Sequence, residues 1–117
     1  IDTYCFFITS YLFESESEHK KTLGFIKRNR KKIIKARVTE FELEYNTNIF
    51  NDSERYKIKK MDYSKEILMP TLKLQFDEIG GLQWEQKLRQ QKVRKKEIET
   101  VFKKNGIIIP DDYCNFT

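Results

Sequence analysis

The pattern of apolar and polar positions divides the chain into segments with different periods. Between Ile1 and Leu12 the apolar side chains recur at a helical spacing, which favours a helix over residues 1–13. The aromatic and threonine content of the same stretch also suits a buried strand. Residues 14–18 have no apolar position and indicate an exposed loop or a helix end. We therefore predict an N-terminal helix.

The middle of the chain alternates with a period of two, which is typical of strands. The first run covers residues 34–45 and slips by one position after Thr39, which predicts a long strand with a bulge. Similar runs follow over residues 55–63 and 72–77. Glutamates on the first run and basic residues on the second would form cross-strand pairs, each worth roughly 0.2–1 kcal/mol. We predict a three-stranded antiparallel meander over residues 33–78.

A long polar helix is predicted over residues 82–104, which contain neither glycine nor proline within a stretch rich in Gln, Lys, Glu and Arg. Asn105-Gly106 is a suitable stop for it. Only Val93 is apolar in its middle, so we expect its centre to leave the core. The apolar residues expected to pack on one face of the sheet are Trp84, Leu88, Ile98, Val101 and Phe102.

These elements predict a single α+β domain over residues 1–117, read as a segment of a longer chain. A length of 117 residues suits one domain. The longest uncharged stretch, residues 3–13, is far shorter than the roughly 20 apolar residues of a membrane-spanning helix. We expect no membrane partner and no cofactor.

The net charge of +5 conceals large local differences along the chain. Residues 20–37 contain nine bases and no acids, and residues 80–104 contain eight bases and three acids. The other three segments, 1–19, 38–79 and 105–117, are each net acidic. The chain is therefore polarised into two basic blocks.

Basic blocks of this kind attract phosphates, because each neutralised phosphate releases condensed counterions. We predict a non-enzymatic module that binds nucleic acid or another polyanion, with both blocks on one face if the long helix packs beside residues 20–37. The first set of candidate binding residues is Lys27, Arg28, Arg30, Lys31, Lys32, Lys35 and Arg37. The second is Lys87, Arg89, Lys92, Arg94, Lys95 and Lys96.

Other interpretations of the basic blocks stay open. A basic surface also docks acidic proteins, and the middle of the long helix with a free strand edge would serve a protein-interaction domain. Residues 27–30 match a minimal nuclear import signal. A charged helix face is also often only a solvated surface.

Evidence for an enzyme is weak in the sequence. His19 is the only histidine and lies in an apparently exposed polar stretch. A metal-dependent nuclease would need acids and a lysine on adjacent strands. The residues available for that alternative are Asp77, Glu78, Lys73 and either Glu40 or Glu42.

Two cysteines near the chain ends bear on the cellular compartment. So few cysteines favour reduced thiols and an intracellular protein, nuclear or cytoplasmic. A bridge between Cys5 and Cys114, with glycosylation sequons at Asn51 and Asn115, would instead indicate an extracellular domain.

Overall fold

A computed structural model describes residues 3–44, 46–60 and 74–110. It shows an α+β architecture in which a C-terminal helix packs on a sheet. The elements in chain order are β1 (Thr3–Thr9), α1 (Glu16–Arg28), β2 (Ile33–Glu40), α2 (Asn48–Asn51), β3 (Ile58–Lys60), β4 (Phe76–Glu78) and α3 (Trp84–Lys104).

The N-terminal segment is a strand, so the predicted helix over residues 1–13 is wrong. Cys5, Phe7 and Thr9 point inward, whereas the residues between them point outward and are exposed. Both faces of β1 are rich in apolar side chains, and this hides the period of two that normally identifies a strand. The helix begins later, at α1, where Ser15 and Glu18 form a reciprocal capping box.

The predicted three-stranded antiparallel meander is also wrong. β1 and β2 pair in parallel, with α1 as the crossover between them. β3 pairs with β4 in an antiparallel sheet of two strands, so the second and third alternating runs do meet. Cross-strand charge pairs of a few tenths of a kcal/mol could not outweigh the apolar surface that β2 buries beside β1.

The chain after α3 returns to the other edge of β2. Ile108 accepts a backbone hydrogen bond from Ala36 N–H and donates one to Ile34 O, both at 3.0 Å. Its bridge to Lys35 is parallel. β2 is therefore central, between β1 and the segment around Ile108.

The long helix is confirmed, with α3 ending before Asn105 and a left-handed Gly106 at φ 71°. Its two ends enter two different cores, so the prediction that Trp84 packs on the same sheet face as Ile98 and Phe102 is wrong. Ile98 and Phe102 pack with Ile26, Ala36 and Val38 beneath β1 and β2. At the other end Trp84 packs against a cluster formed by Leu12, Phe41, Leu43, Ile58, Leu74 and Phe76.

The centre of α3 does not leave the core, contrary to the sequence-based expectation. Lys87, Gln91 and Arg94 are buried there. They follow a spacing of four and then three residues and so lie on one helix face. Buried polar groups of this kind need partners.

Candidate nucleic-acid interface

The outer face of the β1–β2 sheet is exposed and partly aromatic. Tyr4, Phe6 and Ile8 alternate with the inward residues of β1 and are 55%, 57% and 57% exposed. α3 covers only the opposite face, where Ile98 and Phe102 join the core. Among the described residues, the outer face thus combines large apolar side chains with open access.

Basic side chains of β2 stand beside these aromatic residues. The register pairs Tyr4 with Lys35 and Phe6 with Arg37. Lys35 is exposed and Arg37 is half-buried. Ile108, also exposed, adjoins Lys35 on its other side. The central strand therefore places Lys35 between two apolar flanks. Arg37 has Phe6 on one side and also lines a cavity of about 320 Å³ with Lys95 and Glu99 of α3.

The turn before β2 adds further cations at one end of this face. Lys31 and Lys32 are exposed, and Thr3 N–H donates to Lys32 O at 3.0 Å. A pocket of about 250 Å³ lies nearby, lined by Thr3, Tyr4, Ile34 and Lys35. We call Tyr4, Phe6, Lys31, Lys32, Lys35 and Arg37 the outer basic surface.

The remaining cations of the first block lie at the end of α1. Lys27 and Arg28 occupy its last turn, where positive charge complements the helix dipole. Arg30 Nη1 donates to Lys27 O at 2.9 Å, so this guanidinium also caps the helix end. These three side chains are exposed and have a local structural role as well.

Two cations of the second block are buried in ion pairs. Lys87 Nζ lies 3.0 Å from Glu78 Oε2, and both side chains are almost fully buried. Arg94 Nη1 lies 2.9 Å from Glu14 Oε1, and its Nη2 lies 3.4 Å from Glu16 Oε2. The positive charges of Lys87 and Arg94 are therefore compensated by carboxylates of the same protein.

Hydrogen bonds place the Lys87–Glu78 pair at the β1–α1 loop. Lys87 donates to Tyr11 O at 2.6 Å, and Glu78 accepts from the N–H groups of Phe13 and Leu82 at 2.6 and 3.1 Å. Phe13 has a φ of 58°, a conformation that is costly for a side chain with a Cβ. The buried pair therefore stabilises an otherwise unfavourable loop.

Burial and hydrogen bonding act in opposite directions on the two charges. Burial lowers the pKa of Lys87 below its ordinary value, and the Glu78 carboxylate partly offsets this. Burial raises the pKa of Glu78, but hydrogen bonds from Phe13, Leu82 and Lys87 outweigh it, so the pKa of that carboxyl lies below its ordinary value. We conclude that Glu78 is ionised at neutral pH.

The other cations of α3 lie outside this buried row. Lys95 is partly exposed, with Nζ 3.6 Å from Glu40 Oε1. Arg89, Lys92 and Lys96 are exposed on the side of α3 away from Lys87 and Arg94. Lys96 also lines a groove of about 430 Å³ between α1 and α3. Since α3 covers the inner face of the sheet, these three cations do not join the outer basic surface.

The single histidine is not exposed as the sequence suggested. His19 is 1% exposed, and its Nε2 lies 3.4 Å from Glu97 Oε1. The His19 side chain therefore lies between α1 and α3 and not on the exposed polar surface that the sequence suggested.

Asp77 and Glu78, two of the carboxylates considered for a nuclease, have other contacts. Asp77 Oδ1 accepts from Trp84 N–H at 2.8 Å and so caps α3, while Glu78 pairs with Lys87. Glu42 is exposed, and Lys73 lies outside the described residues. Across residues 3–44, 46–60 and 74–110, no group of three His, Cys, Asp or Glu side chains could hold a metal ion.

The disulfide alternative falls partly outside the described residues. Cys5 is a half-buried free thiol on β1, whereas Cys114 and Asn115 lie in the part that is not described. Asn51 is exposed at the end of α2. In the described part of the chain, no helix is both long and apolar enough to cross a membrane.

Sequence reasoning missed the aromatic half of this surface. Tyr4 and Phe6 lie outside both basic segments. They precede Lys35 and Arg37 by about 30 positions and come beside them through parallel pairing. One signal in the sequence could have identified them. Tyr4, Phe6 and Ile8 recur every two positions, as the outward residues of β2 do, and this period is typical of one face of a strand.

Comparison with protein-family models, curated proteins and solved structures found no match to this chain.

Proposed function

We propose that this chain is a non-enzymatic module that binds nucleic acid or another polyanion through the outer basic surface. The observation that carries the proposal is the charge on the outward side of the sheet. Lys35 and Arg37 stand there, and neither β1 nor β2 has an acidic residue at the outward positions from Tyr4 to Ile8 or from Lys35 to Thr39.

Physical chemistry supports a phosphate ligand for such a surface. Lysines bind phosphates as point charges, and an arginine can contact two phosphate oxygens at once. Lys31, Lys32 and Lys35 are exposed, so binding does not first require the breaking of a buried ion pair. Counterion release would supply much of the affinity and make it dependent on salt.

The other candidate residues take different places in this proposal. Lys27, Arg28 and Arg30 extend the positive potential beyond the turn. Arg89, Lys92 and Lys96 form a separate patch that would contribute only long-range attraction. Lys87, Arg94 and Lys95 are left out of the binding surface because they form intramolecular ion pairs. A nucleic-acid ligand would place the protein in the nucleus or cytoplasm.

A salt titration with two matched triple variants tests the proposal. Binding of a labelled random oligonucleotide of about 15 nucleotides is measured by fluorescence anisotropy from about 50 mM salt upward. We expect the combined change of Lys31, Lys32 and Lys35 to alanine to reduce the slope of log K against log salt by about 2 to 3. In the matched control, alanine replaces Arg89, Lys92 and Lys96. This variant removes the same positive charge from the exposed side of α3.

The two triple variants differ in affinity only if the oligonucleotide binds at the outer basic surface and not to the positive charge of the whole protein. Equal losses in both would show that net charge alone drives binding and would contradict the proposed surface. An absence of binding by the natural sequence at about 50 mM salt would overturn the function itself.

A protein partner is the second candidate, because Tyr4, Phe6, Ile8 and Ile108 expose apolar surface on the same face. Protein docking surfaces are enriched in aromatic residues. Phosphate-independent association, unaffected by the lysine triple variant, would favour this alternative.

A further inference from the structure

Tyr4 and Phe6 are a feature that binding to phosphate alone does not require. Both side chains are more than half exposed, although large aromatic side chains normally gain stability by burial. They lie two positions apart on one strand and so on the same face. Each ring stands beside a cation of β2, Lys35 or Arg37.

The spacing of the two rings favours an extended nucleic-acid strand. A strand rises about 3.3 Å per residue, so side chains on one face recur about every 6.6 Å. Bases in a duplex strand are about 3.4 Å apart and are already stacked on one another. Rings at twice that distance would each take one base from an unstacked, extended chain.

The neighbouring cations fit the same ligand. Proteins that bind single strands combine a positive path for the backbone with aromatic side chains for the bases. Here the two rings form a row on β1 and the two cations form a parallel row on β2, in the pairs Tyr4–Lys35 and Phe6–Arg37. A paired duplex keeps its base faces stacked inside the helix and could not use these rings.

Building on the proposed function, we infer that the outer basic surface selects single-stranded nucleic acid, with successive bases stacked on Tyr4 and Phe6 and the phosphates bound by Lys35 and Arg37.

Four probes and two leucine variants test this inference. The probes are oligothymidylate, oligouridylate, a DNA duplex of the same length, and inorganic polyphosphate, which carries phosphates but no bases. Tyr4→Leu and Phe6→Leu keep an apolar side chain but remove the ring. Phe25→Leu is the matched control, since Phe25 is exposed on α1, outside the outer face.

We expect each leucine variant to weaken binding of the single strands by about 5- to 150-fold, the range for loss of one base–aromatic stack. The same variants should bind polyphosphate within about 2-fold of the natural chain, and Tyr4→Phe should retain affinity for the single strands. Phe25→Leu should change neither. The two homopolymers together show whether RNA or DNA is preferred.

Several results would overturn the inference. One is a loss below about 2-fold for both leucine variants; another is equal affinity of the natural chain for the duplex and the single strands. A change in oligomeric state of Phe6→Leu by analytical ultracentrifugation would identify the face as a protein contact. If the lysine triple variant still loses polyphosphate binding in these cases, the proposed function survives and only base stacking is refuted.

Discussion

Lys35 and Lys87 are the same residue type in two basic segments, but their environments are opposite. Lys35 is exposed on the outer face of β2. Lys87 is fully buried on α3, 3.0 Å from Glu78 Oε2, and donates to the backbone of the β1–α1 loop. A basic run in a sequence therefore mixes cations that can bind a ligand with cations that stabilise the fold.

The difference arises from what packs against each segment. The β1–α1 loop and β4 cover the face of α3 that carries Lys87 and Arg94. A charge in such a place is tolerated only with a partner, because its removal from water costs several kcal/mol. Since Glu78 and Glu14 supply those partners, the helix can bury a polar centre between two apolar ends.

The largest effect is expected from Lys87→Met. This change keeps the length of the side chain but leaves the Glu78 carboxylate buried without its cation, and we expect a loss of about 3 kcal/mol in the free energy of unfolding. Urea denaturation measures it. Lys92→Met on the exposed side of the same helix is the control, expected to stay within about 0.5 kcal/mol. Equal stabilities of the two variants would contradict the structural role of Lys87.

Acid should weaken the buried pair of Lys87 and Glu78. The pKa of Glu78 is lowered in the folded state, so its stabilising contribution is complete above the ordinary value of 4.5 and is lost as pH falls through the lowered folded value. Glu78→Gln cannot titrate and should lose less stability over that acid range. Denaturation at a series of pH values tests this, and parallel curves for both proteins would refute it.

The smallest effect is expected from Lys95, the partly exposed cation of α3. Its Nζ lies 3.6 Å from Glu40 Oε1, in a position where solvent screens the attraction. Lys95→Met should cost about 0.5 kcal/mol or less, and added salt should reduce that cost further. If Lys95→Met lost as much unfolding free energy as Lys87→Met, burial would not explain the difference between the Lys87–Glu78 and Lys95–Glu40 pairs.

Much of the secondary structure could be predicted, and each error has a physical cause. α3 and its stop at Gly106, and the meeting of β3 with β4, agree with the prediction. The alternation on β2 was also recognised, but the predicted long strand with a bulge near Thr39 is wrong, because β2 ends at Glu40 and the described residues 41–44 beyond it form only an isolated bridge at Leu43. β1 was mistaken for a helix because apolar side chains occupy both of its faces. The parallel pairing of β1 with β2 was missed because it depends on contacts between residues about 30 positions apart.

The candidate site shows the same limit. The sequence identified Lys31, Lys32, Lys35 and Arg37 as candidate ligand-binding cations, but it also included Lys87 and Arg94. Nothing in the local pattern distinguishes these groups, because an exposed lysine and a buried one occupy similar polar stretches. Their difference depends on the acid or backbone oxygen that another segment brings to them.

The polarised charge, the long polar helix and the alternation of β2 can be recognised from the amino-acid sequence, because each depends on neighbouring residues alone. The fold was needed to show which cations remain in water and that Tyr4 and Phe6 stand beside Lys35 and Arg37. Burial and strand register are fixed by which surfaces meet, and distant parts of the chain supply those surfaces.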